Sequence, residues 1–243
     1  MTAFNSLARL RILVRGMKYF LFAVLAVGMF SSQSSMGAVT GVTSESALGP
    51  GDYIQWSALG SQNTSIANPT SSTSVGGLGY TVSQSGAGSL VRLDQGSGWM
   101  GNFGTGETLL FTGGSNGPIS ISFATGVTGV GAQIQSNYWG PYDAKLEAFG
   151  AGSNSLGSFT LAGVASGAGD DGAIFIGLLS STADIFGVTF SLVNAPSNTV
   201  TQFAIGNVAL VTTPIPEPEI YAMMSIGLGL LGWVGRRRKQ QTA

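Results

Sequence analysis

The chain contains no cysteine and no histidine, and only 9% of its 243 residues are charged. Soluble domains usually carry about 25% charged residues. The missing cysteine excludes a disulfide framework, a thiolate metal site, a lipid-bearing cysteine and a thiol nucleophile. The missing histidine removes the usual general base and the commonest zinc ligand. What charge there is stands at the two ends. Arg9, Arg11, Arg15 and Lys18 precede residue 19, and Arg236, Arg237, Arg238 and Lys239 follow residue 235. Between residues 39 and 213 only Arg92 and Lys145 face nine acids, a balance of −7. Nucleic-acid binding needs clustered Lys/Arg on the folded domain, so that function is excluded. Apolar residues make up 44% and mean hydropathy is +0.32, which favours a packed core over disorder.

Each basic cluster borders an apolar run. Arg9 to Lys18 precede the twelve apolar residues Tyr19 to Phe30, and the small residues Ser31 to Ala38 follow. That order predicts a signal peptide over residues 1–38, cut after Ala38 or Gly37. Its partners would be the Sec translocon and signal peptidase. Met17-Lys18-Tyr19 could open a compact signal by itself, so Met1 and Met17 both fit as the start. At the other end, Pro214-Ile215-Pro216-Glu217-Pro218-Glu219 leads into Ile220 to Gly235, and the Arg-rich cluster follows at once. Sixteen helical residues rise about 24 Å, a little less than the ~30 Å hydrocarbon core. Snorkelling of Arg236 and local bilayer thinning absorb the difference. A single transmembrane helix is predicted, with Arg236, Arg237, Arg238 and Lys239 as the cytoplasmic anchor and the Pro-Glu-Pro segment outside.

Pro216-Glu217-Pro218, a short Gly-rich apolar helix and an Arg-rich end together resemble a PEP-CTERM sorting signal, here over residues 214–240. The resemblance implies recognition by an exosortase, a membrane-embedded cysteine transpeptidase that cuts near Pro-Glu-Pro. It also implies a Gram-negative, exopolysaccharide-secreting host and a final place on the cell surface or in the extracellular matrix. Proline fixes φ and favours an extended backbone, so Pro216 to Pro218 would stand stiff and accessible beside the membrane. A GPI signal ends in its hydrophobic tail, whereas Arg236 to Lys239 follow it here.

The region between the two signals, residues 39–213, lacks a helical period and alternates at period two. Ile119, Ile121 and Phe123 alternate with serines, and Phe186, Val188, Phe190 and Leu192 with Gly187, Thr189 and Ser191. Val130, Ala132, Ile134 and Ile174, Ile176, Leu178 repeat the pattern. Further strands are predicted at 53–56, 79–82, 90–93, 108–111, 145–149, 158–161 and 202–211. Short strands with Gly/Ser/Asn turns predict an all-β fold, an antiparallel β-sandwich or jelly-roll-like domain. Residues 39–88, richer in Gly, Ser and Thr, read as an irregular lead-in, and residues 89–213 as the sandwich. Phe203 and Ile205 change phase to Val208 and Leu210, which predicts a bulge at Gly206-Asn207. Exported PEP-CTERM domains often end in a similar Phe-x-Ile-Asp-Asn-Val strand. Gly206 replaces that Asp here, so no ligand role carries over.

Gly96 to Gly101 matches GxGxxG, but no βαβ unit surrounds it. Gly113 to Gly117 matches GxSxG, but a nucleophile elbow needs a base, normally histidine, so Ser115 reads as a turn residue. Asp170 and Asp171 offer oxygen ligands to calcium, without EF-hand spacing; a solvated loop is the simpler reading, and no cofactor is expected. Tyr138, Trp139, Tyr142 and Asp143 fall in a predicted inter-strand loop. Aromatic faces beside a carboxylate suit sugar rings, though aromatics also cap sheet edges. The expected function is therefore a non-enzymatic exported surface or matrix protein. A carbohydrate-binding module or adhesin for exopolysaccharide is the alternative, and a two-carboxylate hydrolase a more distant one.

Overall fold

The computed structural model describes residues 38–86, 88–114, 117–195 and 202–212. The predicted signal peptide up to Gly37, Ser115 and the whole tail from residue 213 lie outside the described residues. Among those described, no helix is long and apolar enough to cross a membrane.

The first five strands are β1 (Thr40–Val42), β2 (Asp52–Ile54), β3 (Thr64–Ile66), β4 (Thr70–Thr73) and β5 (Gly79–Gln84). Then come β6 (Leu90–Asp94), β7 (Thr108–Phe111), β8 (Ile119–Val127), β9 (Gly129–Ser136) and β10 (Gly140–Phe149). The last five are β11 (Ser155–Ala165), β12 (Ile174–Leu179), β13 (Ile185–Asn194), β14 (Phe203–Ile205) and β15 (Val208–Val211). Helix is confined to one turn, α1 (Glu45–Leu48), and a 3-10 turn at Trp56–Leu59. Ser44 caps α1 by accepting from the Ala47 amide, and Gly49 ends it at φ +66°.

The strands form two antiparallel sheets. One runs β1-β12-β9-β14-β7-β6-β3, with β15 also on β9 and β2 on β15; the other runs β11-β10-β13-β8-β5-β4. Their apolar faces share one core. Val130, Ala132 and Ile134 of β9 and Ile121, Leu146 and Phe190 of the six-stranded sheet are all essentially inaccessible. Each such large side chain contributes about 1.5–3 kcal/mol by leaving water. Trp56 and Tyr80 meet edge to face across the core, ring centroids 6.3 Å apart.

The lead-in predicted over 39–88 is part of this sandwich. β1 pairs with β12, β2 with β15, and β5 lies between β4 and β8. In β5 the hydroxyls of Thr81 and Ser83 are the outward half of a strict alternation with Tyr80, Val82 and Gln84. Gln84, at the inward end of β5, is buried and donates to the Thr112 carbonyl at 2.8 Å. The alternation predicted through Phe186 also shifts. The register with β8 slips between Ile185 and Gly187, so Ile185 is the fully buried residue and Phe186 is half-buried. The step at Gly206-Asn207 matches the predicted bulge. From Ile205 opposite Ile134 to Ala209 opposite Gly131, one side advances a residue further than β9.

Candidate functional site

The four residues of the predicted aromatic loop do not converge. Only Asn137 to Trp139 separate β9 from β10, because Gly140 already pairs with Ala165 of β11. Period two then turns Tyr142 into the core, where it is 2% exposed and its hydroxyl donates to the Ile134 carbonyl at 2.7 Å. Burial pushes its phenol pKa up. Tyr142 is a core residue and not a carbohydrate contact. Trp139 is 70% exposed, with its six-membered ring near Gly167, and Tyr138 is partly exposed beside it. Asp143 points outward and accepts from Asn194 Nδ2 at 3.4 Å.

Asp170 and Asp171 also part company. Asp170 Oδ1 accepts from Asn102 Nδ2 at 2.9 Å and from the Gly172 amide at 3.1 Å, which hold its carboxyl below the usual range. Asp171, at φ +60°, accepts from Gln133 Nε2 at 3.0 Å. Among the described residues no group of three or more acidic side chains is placed to hold a metal ion.

Behind Asp170 runs a buried polar seam. Gln135 Oε1 accepts from the Asn102 amide at 2.7 Å, and its Nε2 donates to Asn102 Oδ1 at 2.9 Å and to the Ser166 carbonyl at 2.9 Å. Asn102 Oδ1 also accepts from the Ser166 amide at 2.7 Å. Gln95 joins by bonding both the amide and the carbonyl of Gly101. Of the glycines of the GxGxxG match, Gly98 and Gly101 thus serve close packing, while Gly96 takes a left-handed turn at φ +88°. A Cβ at Gly101 would collide with Gln135 Oε1 and the Trp99 indole nitrogen. No helix follows that segment; the next element is strand β7.

The most unusual electrostatics belong to Glu107, which nothing in its own neighbourhood of the sequence marks. Its carboxylate lies over Gly206, where any Cβ would strike Oε1. Burial raises its pKa to about 7; the Asn207 and Gly104 amides oppose the rise, while the charges of Asp171 and Glu45 add to it. Glu107 lines a cavity of about 270 Å³ with Glu45, Tyr53, Gln133 and Asn207. The Tyr53 hydroxyl donates to Glu45 Oε1 at 2.6 Å, and that bond, with burial, pushes the phenol up to about 12. A carboxyl that changes protonation near neutral pH beside a second carboxylate is a pairing that acid–base chemistry uses. Its partners come from segments far apart in the chain, so only the fold brings them together.

Comparison with known proteins bears chiefly on the tail. Residues 214–239 match the PEP-CTERM protein-sorting motif. The tail thus bears that motif, which implies an exported protein, recognised by an exosortase and processed at the membrane. Pro216, Glu217, Pro218 and the Arg236–Lys239 cluster all lie within the match. No curated protein matches the chain. Among solved structures, a DUF4465 family protein from Bacteroides caccae is 11% identical, with a TM-score of 0.43 over 72% of this chain and all of that one. CsCBM6-3 from Clostridium stercorarium, solved in complex with cellobiose, is also 11% identical, with a TM-score of 0.24 over 66% of this chain and 93% of that one.

Proposed function

We propose that this is a non-enzymatic surface or extracellular-matrix protein of a Gram-negative bacterium. The Sec machinery exports it, the segment Ile220 to Gly235 holds it briefly in the inner membrane, and an exosortase then cuts near Pro216-Glu217-Pro218. The observation that carries this reading is the sorting motif over residues 214–239. The domain it delivers supports it, because a sandwich without histidine or cysteine lacks the commonest nucleophile–base pairs. Fractionation tests it. In a host with an exosortase, wild-type protein should leave the inner membrane, while Pro216→Ala with Glu217→Ala should remain there. Wild-type protein that stays in the inner membrane would reduce the tail to an anchor.

A second reading, carbohydrate binding, is favoured by one observation. Trp139 presents 70% of its surface to solvent beside Tyr138, with Asp143 two positions past Pro141 on the outer face of β10. An indole so exposed costs the free protein favourable burial and gains it back by stacking on the apolar face of a sugar ring. Loss of glycan retention in Trp139→Ala would support this reading, and unchanged retention would move the contact elsewhere.

A further inference from the structure

The outward face of the six-stranded sheet has a composition unlike an ordinary solvent face. Exposed strands normally carry charged residues, about 25–35% of a soluble surface. The four adjacent strands β13, β8, β5 and β4 carry none at all, and neither does β11. Charge on this sheet is confined to β10, where Lys145 and Glu147 neutralise each other at 2.8 Å and Asp143 stands at one end. The domain is otherwise acidic, so this wide face is electrically quiet on a molecule that is not.

In place of charges the face presents hydroxyls in register. Ser83 pairs with Ser120, Ser120 with Thr189, Thr189 with Glu147, and Glu147 with Ser158. Such a row runs straight across five strands at a spacing of about 4.8 Å. A second row places Ser71 opposite Thr81 and Thr81 opposite Ser122. Some of these groups already bond one another, Ser71 to Thr81 at 2.8 Å and Ser120 to Thr189 at 3.0 Å, each keeping further donor or acceptor capacity. Short side chains lose little rotamer entropy when a ligand orders them.

The second row is interrupted. Gly187, opposite Ser122 on one side and Phe149 on the other, supplies no side chain, and a groove of about 560 Å³ opens there. Phe149 and Phe186 form apolar parts of its lining, the turn at 150–153 borders it, and the hydroxyls of Ser83, Ser120, Ser122 and Thr189 line the rest. Aromatic rings beside fixed hydroxyls are what a sugar requires, apolar C–H faces against the rings and hydroxyls against hydroxyls. We propose that this face binds an extended, uncharged polysaccharide lying across the strands, with one sugar seated in the Gly187 groove. The charge pattern selects that occupant. An anionic polymer finds no free cation here, since Lys145 is already paired. A protein face or a second copy of this sheet would need a continuous apolar centre, whereas the apolar side chains here, Phe149 and Phe186 at the groove and the exposed Val164 and Val193 toward the other end, are parted by Thr189, Ser191, Ser158 and Thr160.

The proposal rests on the carbohydrate-binding reading but moves the main contact from the Trp139 turn to the sheet. Affinity gel electrophoresis of the full chain in detergent separates the two, with hydroxyethylcellulose, dextran or neutral xylan in some gels and alginate in others. At least one neutral polymer should retard the wild type, and alginate should not. Ser83→Glu with Ser122→Glu, both at outward positions, should weaken that binding at least tenfold with an unchanged urea midpoint, while Trp139→Ala should stay within about twofold. Retardation by alginate alone, or binding lost in Trp139→Ala and kept in the double variant, would overturn the sheet-face proposal and leave carbohydrate binding standing. No retardation in any gel would overturn both.

Discussion

The indole Nε1 of Trp56 donates to the carbonyl of Gly206 at 2.7 Å, joining residues 150 positions apart at the bulge between β14 and β15. Asn207 completes the joint, its Oδ1 accepting from the Trp56 amide at 3.2 Å and from Thr108 Oγ1 at 2.8 Å. The bulge turns that carbonyl away from the ladder, and the indole satisfies it in a buried site. Trp56→Phe should therefore strand a buried acceptor and leave a gap, costing about 2–4 kcal/mol. Urea unfolding measures this; a loss below about 0.5 kcal/mol would mean the joint is dispensable.

Tyr142 and Trp139, three residues apart, should respond in opposite ways. Tyr142→Phe removes a buried donor from the Ile134 carbonyl and should cost about 1 kcal/mol or more. Trp139→Ala, at an exposed turn, should stay within about 0.5 kcal/mol of wild type. Thermal melts of the two variants decide the matter, and the reverse order would contradict the burial described above.

Asn102 bonds Gln135, Ser166 and Asp170 at once, so it ties the segment after β6 to the segment after β11. Asn102→Ala should cost about 2–4 kcal/mol, because several buried partners lose their bonds together. Hydrogen exchange should quicken at residues 96–104 and 166–172 before it does in β9. Uniform quickening across the sandwich would show that the seam does not act locally.

Glu107 gives a pH signature. Unfolded, its carboxyl ionises near 4.5; folded, burial delays this to about 7. Between those values the folded state binds more protons, so stability falls as pH rises from about 4.5 to about 7 and levels off above. Partial solvent access reduces the effect to about 1–2 kcal/mol. Glu147 and Asp170, whose carboxyls are lowered, lose their contributions only at more acidic pH and leave this window clear. Urea midpoints from pH 4.5 to 7.5 should slope for the wild type and flatten for Glu107→Gln. Parallel slopes would assign the pH dependence to other groups.

The strands were legible wherever alternation is strict, as in Ile119 to Phe123 and Val130 to Ile134, because period two follows directly from the pleat. The bulge was legible for the same reason, since an extra residue must break the phase. Residues 39–88 were not read as sandwich because their inward residues are few and widely spaced. Trp56 gains its role only from Gly206 and Asn207, Val82 from β8 and Gln84 from Thr112. Tyr142 falls in a cluster of aromatics that looks like a loop until the pairing of Gly140 with Ala165 fixes its parity. The Glu107 cavity left no local signal, and the hydroxyl face showed only as serines and threonines alternating within single strands, not as rows across them. Both arise from segments that meet only after strands distant in sequence have paired, whereas the tail was legible because its three parts are contiguous.

The fate of that tail is read by intact-mass spectrometry of the protein recovered from an exosortase-bearing host. A mature species is expected that begins near Ala38 or Val39, ends within residues 214–218 and lacks Arg236 to Lys239, together with a longer, tail-bearing species when Pro216 and Glu217 are both replaced by alanine. A wild-type mass that still includes Arg236-Arg237-Arg238-Lys239 would contradict this expectation.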